Sequence, residues 1–144
     1  MMSGLDLRAI ANELSQMVGS HCKKCYQPHY EQVVLRLRAK SGGNTDLVLV
    51  RGKRIYTSQR DRPMPQYPAP FAMVLRKVLT NARLKAVEQV GFDRVLRFIF
   101  ENSHGIFHLY VEVFRDGNII LADGEDMIIQ PLTHASYADR TLKK

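Results

Sequence analysis

No apolar run in this 144-residue chain is long enough to cross a bilayer. Stretches such as Leu47–Val50 and Ile106–Val113 are strand-length, far short of the roughly 20 residues a spanning helix needs. The opening MMSGLDLRAI has no basic start, apolar middle or small-residue cleavage site, so it does not read as a secretory signal. The expectation is a cytosolic location with no membrane partner. Cysteine is scarce: two residues, forming one CxxC. That is no disulfide framework, and a zinc site needs four ligands where only His21 lies beside the pair. A redox CxxC opens a helix after a strand, where helix amides lower the thiol pKa. Here HCKKCYQPHY reads as strand and turn ending at Pro28, so Cys22 and Cys25 are expected as small buried hydrophobes. Phosphate-binding glycine signatures of the P-loop and Rossmann kinds are absent, as are GxSxG and HExxH. Acidic residues are in deficit: 14 against 21 Lys and Arg, for a net charge of +7 and a pI near 9.6. A basic surface concentrates polyanions, so nucleic acid enters as a candidate partner.

What is present suits one domain with one core: 45% hydrophobic and 24% charged residues. Leu7, Ile10, Leu14, Met17 and Val18 recur at helical spacing, predicting a helix over 4–18 with Ser3 as cap and Gly19 as stop. Short strands follow. Val33, Leu35 and Leu37 alternate with Val34, Arg36 and Arg38. Ser41–Asn44 makes a hairpin turn, Leu47–Val50 a buried strand, and Arg54-Ile55-Tyr56 starts another. Four prolines within 59–70 predict an ordered surface loop. It feeds a second helix over about 70–80, with Phe71, Val74, Leu75, Val78 and Leu79 inward and Arg76 and Lys77 outward. A meander completes the chain: Ala82–Val90, Arg94–Phe100, Ile106–Phe114, Ile119–Ala122 and Met127–Gln130. The class is α+β, a β-sandwich or curled antiparallel sheet flanked by two main helices.

Chemistry-bearing clusters are few. His104 and His108, four apart, share a strand face, a weak metal signal beside the commoner reading of satisfied or solvent-facing histidines. Asp93-Arg94 sits at a tight turn between strands in EQVGFDRVLRF. Such a pair either braces the turn or presents a guanidinium fork to a phosphate with a carboxylate beside it.

That run, with RIYTSQRDRPMPQYPAPFAMVLRKVL before it, YVEVFRDGNIILAD after it and the opening SGLDLRAIANEL, resembles the NFACT-N domain. The family includes the bacterial RqcH proteins, also known as fibronectin-binding FbpA, and the eukaryotic factor NEMF. The likeness covers about residues 3 to 132. It implies a fold like the amino-terminal domain of formamidopyrimidine DNA glycosylases. It also implies that residues 1–144 form one NFACT-N domain of a longer protein with helix-hairpin-helix, coiled-coil and NFACT-R parts. The implied partners are those other domains, tRNA, and large ribosomal subunits stalled with peptidyl-tRNA. The implied role is recruiting tRNA for untemplated carboxyl-terminal tailing of nascent chains.

By the same resemblance, Asp6, Asp93 and Arg94 are the expected tRNA-binding residues. Arg8, Arg54, Arg62, Arg76 and Lys77 are further candidates for RNA-backbone contact, being basic and placed in family blocks or near the Pro-rich loop. Glu112, Gly117 and Asn118 belong to a family block, but turn geometry accounts for Gly117 and Asn118 without a ligand. The glycosylases use an amino-terminal proline followed by glutamate, where this chain reads Met1-Met2-Ser3-Gly4. No enzyme activity, metal or cofactor is therefore expected. The rival readings are a fibronectin-binding adhesin and a glycosylase-like nucleic-acid binder without catalysis.

Overall fold

The computed structural model describes residues 4–59, 69–91, 94–114 and 116–133. Helix α1 (Gly4–Leu14) runs into a 3-10 turn at Ser15–Met17. Four strands follow: β1 (His21–His29), β2 (Gln32–Arg38), β3 (Asn44–Val50) and β4 (Arg54–Ser58). Helix α2 (Pro70–Val78) separates them from β5 (Arg83–Gln89), β6 (Val95–Asn102), β7 (Gly105–Glu112), β8 (Ile119–Asp123) and β9 (Ile128–Pro131). All nine strands lie in one antiparallel sheet, ordered β4-β3-β2-β1-β5-β6-β7-β8-β9. The expected α+β class holds, and the sheet is curled and open.

The curl begins at the seam. β1 and β5 pair at the single position His21↔Arg83. Backbone bonds flank it, from the Cys22 amide to the Ala82 carbonyl and from the Leu84 amide to the Ser20 carbonyl, each 2.8 Å. Past this narrow hinge the halves fold face to face around one core. Val33, Leu35, Leu37, Leu47 and Leu49 come from one half, and Leu96, Phe98, Phe100, Leu109, Val111 and Leu121 from the other. Leu7 and Leu14 of α1 and Phe71, Leu75 and Leu79 of α2 join them. Burying one such side chain contributes roughly 1.5–3 kcal/mol, so this shared interior dominates folding.

Three local outcomes differ from expectation or refine it. The first α-helix stops at Leu14, and the tighter 3-10 turn carries Ser15–Met17, with Gly19 at φ 99° ending it. Ser3, the expected cap, and residues 60–68 of the Pro-rich loop lie outside the described residues. β1 runs through Pro28 instead of ending there. Past His21 no described strand pairs that edge of β1, so a missing amide there breaks no ladder, and the register shifts between Tyr26 and His29. A second shift, between Cys22 and Lys24, inserts one residue. Residues three apart on a regular strand face opposite ways, and this bulge turns both cysteines inward. Both are buried free thiols in the core, as expected, with sulfurs 3.6 Å apart.

Register also defines the outer face of the first half. Lys24, Arg36, Asp46 and Ser58 form one cross-strand row, and Tyr26, Val34, Val48 and Tyr56 the next. Gln32, Val50 and Arg54 form a third. Val34 was expected on a mixed face, yet it is buried with Val48 between Tyr26 and Tyr56 of the same row.

The halves lock at the bend between β7 and β8. A Cβ on Gly117 would sit 2.4 Å from the Glu112 carbonyl oxygen and 2.7 Å from that of Phe114. Backbone on both sides leaves nothing to yield. Gly117→Ala is expected to cost about 2–3 kcal/mol, read from urea denaturation midpoints. Gly43→Ala, whose Cβ would meet nothing within 4 Å, serves as the near-neutral control.

Candidate functional site

The turn joining β3 to β4, Arg51-Gly52-Lys53, touches both halves. The Gly52 amide donates to the Glu112 carbonyl at 3.0 Å, and Arg51 Nε donates to the Gly117 carbonyl at 2.8 Å. Gly52 has φ 69°, and a Cβ there would lie 3.0 Å from the Phe114 carbonyl oxygen. Glu112 is buried, and its Oε1 accepts the Asn118 amide at 2.8 Å. Asn118 is fully buried; its Oδ1 accepts the Ile119 amide and its Nδ2 donates to the Thr133 carbonyl. Glu112, Gly117 and Asn118 therefore build the bend, as the turn geometry implied.

Arg94 adjoins this closure. Its carbonyl accepts the Val113 amide at 2.8 Å, and its side chain is half-buried. Asp93 lies outside the described residues, as does Arg62.

On the other side of the same turn is an open groove of about 700 Å³. Asp6 in the first turn of α1, Lys53, Arg54, His29 and Glu31 line it. Arg54 is exposed, with its guanidinium 5.1 Å from the Tyr56 ring centre. Lys53 Nζ lies 3.9 Å from Glu31 Oε1, a loose pair. The fold thus gathers Asp6 and Arg54 into one groove, and the Arg94 backbone is bonded to the same β7–β8 bend that holds the groove's turn. Lys53 was missed by the sequence reading. The basic run Arg51-Gly52-Lys53-Arg54 in a hairpin turn was the signal available for it.

The other candidates lie elsewhere. Arg8 is exposed on α1 and Lys77 is exposed on α2. Arg76 was expected to point outward and does not. It is half-buried, donates from Nε to the Cys25 carbonyl at 2.7 Å, and stands 5.5 Å from the Tyr26 ring centre. A strand edge with no partner strand among the described residues supplies the carbonyl that draws it in.

Charge separates between the halves. Residues 21–58 carry eight Lys and Arg against two Asp and Glu, whereas residues 83–133 carry five against eight. The excess positive charge of the sheet therefore sits on β1–β4, the half that carries the groove.

The β6–β8 side holds a different cluster. Asp126 Oδ1 lies 2.8 Å from His108 Nδ1 and accepts the Tyr110 hydroxyl at 2.5 Å. Arg97 grips Glu88 at 2.9 and 2.6 Å and reaches the same hydroxyl at 3.4 Å. Burial pushes the Asp126 carboxyl up, but hydrogen bonds from Tyr110 and His108, with the nearby charges, hold it below its ordinary value. Burial, reinforced by the Asp126 bond, pushes the Tyr110 phenol up. His108 is thus engaged with a carboxylate, and no group of three or more His, Cys, Asp or Glu among the described residues could hold a metal. Among them, too, no helix is long and apolar enough to cross a membrane.

The family model for NFACT N-terminal and middle domains matches residues 3–144. The chain belongs to the NFACT family. Its relatives include the archaeal Rqc2 homolog aRqcH of Methanocaldococcus jannaschii, 37% identical over 98% of this chain. The human ribosome quality control complex subunit NEMF is 34% identical over 90%, and the Rqc2 homolog RqcH of Bacillus subtilis 32% over 92%. Among solved structures, the amino-terminal part of the fibronectin/fibrinogen-binding protein of Streptococcus suis superposes with a TM-score of 0.83 at 30% identity. It covers 93% of this chain and 54% of that one. The NFACT chain described here spans 22% of the archaeal relative, 12% of the human and 25% of the Bacillus protein.

The depressed Asp126 value has a sign. A carboxyl held lower in the folded state adds stability above the unfolded carboxyl range, and that stability is lost as pH falls through the folded value. Asp126→Asn is therefore expected to lower the melting temperature at pH 7, with the gap to wild type closing below about pH 4. Thermal melts of both proteins from pH 7 to pH 2.5 read this directly.

Proposed function

We propose that this NFACT domain is the RNA-contacting module of a ribosome quality-control factor, and that it holds tRNA on a stalled large subunit during untemplated tailing. The supporting observation is the charge asymmetry of the sheet. The basic half carries the groove of Asp6, Lys53 and Arg54, and the turn forming its wall is bonded to the β7–β8 bend, whose Val113 amide in turn donates to the Arg94 carbonyl. Lysines and arginines there neutralise phosphates and release counterions, supplying affinity, while RNA shape supplies selectivity. Arg94, with Asp93 beside it in sequence, recognises a phosphate and an adjacent hydroxyl or base edge. The domain performs no covalent step; peptide-bond formation belongs to the ribosome. A cytosolic location follows from this role. Kinship with proteins named as ribosome quality control complex subunits supports the ribosomal setting.

The names of the streptococcal structural neighbours raise a second reading, an adhesin for fibronectin. One experiment separates the two. The full-length protein is sedimented with large ribosomal subunits at moderate salt, and its binding to tRNA and to fibronectin is titrated. Lys53→Glu with Arg54→Glu is expected to weaken tRNA binding at least about tenfold and to flatten its salt dependence. Asp93→Ala with Arg94→Ala is expected to keep the fold by circular dichroism and lose tailing. Undiminished tRNA binding and tailing in both variants, or fibronectin binding without sedimentation, defeats the proposal.

A further inference from the structure

Beyond the seam, the edge of β1 that faces away from β2 has no strand partner among the described residues, and α2 lies along it. A cavity of about 330 Å³ opens between strand and helix. Lys23, Lys24, Arg76 and Thr80 line it, with the buried Cys22 and Cys25. Among the described residues, no carboxylate lines it.

The bulge explains the crowding of charge. On a regular strand Lys23 and Lys24 would point to opposite faces, and one would enter the core. The inserted residue leaves both exposed, side by side. Lys23 Nζ is steadied by Asn81 Oδ1 at 3.1 Å. The neighbouring Arg36 is neutralised by Asp46, with contacts of 2.8 and 3.0 Å. Lys23, Lys24 and Arg76 have no carboxylate partner among the described residues. Among the described residues Arg76 spends only Nε on the Cys25 carbonyl, and a guanidinium carries further donors.

We propose that this cavity seats a phosphate of the bound RNA backbone, as a second anchor on the sheet face that carries the groove. Three cations converging without a counter-carboxylate fit an oxyanion, and the buried thiols and Leu79 offer it no competing anion. RNA is favoured over a small free anion by placement. By register, Lys24 and Tyr26 share their face with Gln32, Val50 and Arg54 of the groove rim. At about 3.3 Å per residue, Lys24 and His29 stand on the order of 15 Å apart along β1, a span that one RNA strand bridges. The proposal rests on the RNA-binding reading above.

The test uses the full-length protein and tRNA. Lys23→Ala with Lys24→Ala removes exposed side chains and leaves the Arg76 brace in place. The pair is expected to weaken binding about 3–10-fold and to reduce the slope of log affinity against log salt by about 1, with an unchanged melting temperature. Acylation of Lys23 and Lys24 by an amine-reactive ester gives the second readout. Transfer RNA should protect both, whereas inorganic phosphate at matched ionic strength should not. Protection by inorganic phosphate alone makes the cavity a free-anion site and overturns the proposal, as does an unaltered salt slope. If the wild-type protein binds no RNA, the reading under Proposed function fails first. If charge reversal at Lys53 and Arg54 weakens binding and the lysine pair does not, only this cavity falls.

Discussion

The architecture depends on a backbone contact that closes the sheet on itself. The Gly52 amide meets the Glu112 carbonyl, and this pins a hairpin turn of one half into the β7–β8 bend of the other. Close approach of backbone to backbone leaves no volume for a Cβ, which is why glycine stands at 52 and at 117. The buried Glu112 carboxylate would be costly alone. It is tolerated because it accepts the Asn118 amide, while Asn118 in turn satisfies the chain around Thr133. The closure therefore does two jobs. It seals the core, and its backbone bonds hold both the turn that bears Lys53 and the chain at Arg94.

Much of this was legible, because it is local. Period-3.6 and period-2 patterns located both helices and the strands, and Gly19, Gly42-Gly43 and Gly91 marked the turns where backbone φ is positive or space is open. The buried role of Cys22 and Cys25 followed from the lack of partners for any other chemistry. The rest depended on contacts distant in sequence. A bulge of one residue leaves no periodic trace, so the pairing of Lys23 with Lys24 was not visible. Arg76 looked outward on its own helix, and only the edge of β1, with no partner strand among the described residues, shows what draws it in. The Asp126 cluster joins residues from β7 and the β8–β9 turn, whose spacing carries no motif.

The cations of this domain divide by what they touch. Arg36 and Arg97 are held by carboxylates, Arg51 and Arg76 by carbonyls. A planar guanidinium can satisfy a carbonyl with one donor and keep others, which suits it to bracing a strand edge beside an open cavity. The lysines at 23, 24, 53 and 77 are exposed. A flexible ammonium adds charge without fixing geometry, so these residues supply attraction and leave register to the arginines.

This division bears on how one small domain could hold a large RNA. Net charge of +7 spread evenly would attract any polyanion in any orientation. Here the β5–β9 half carries more acid than base and the β1–β4 half the reverse. With a Debye length of about 8 Å at physiological salt, the acidic half does little to cancel the field over the basic one, and it repels phosphates that approach from the wrong side. Orientation is then selected before any specific contact forms. On the proposed function, Arg94 then needs only to discriminate among RNAs already facing it, which is a smaller task than capturing them.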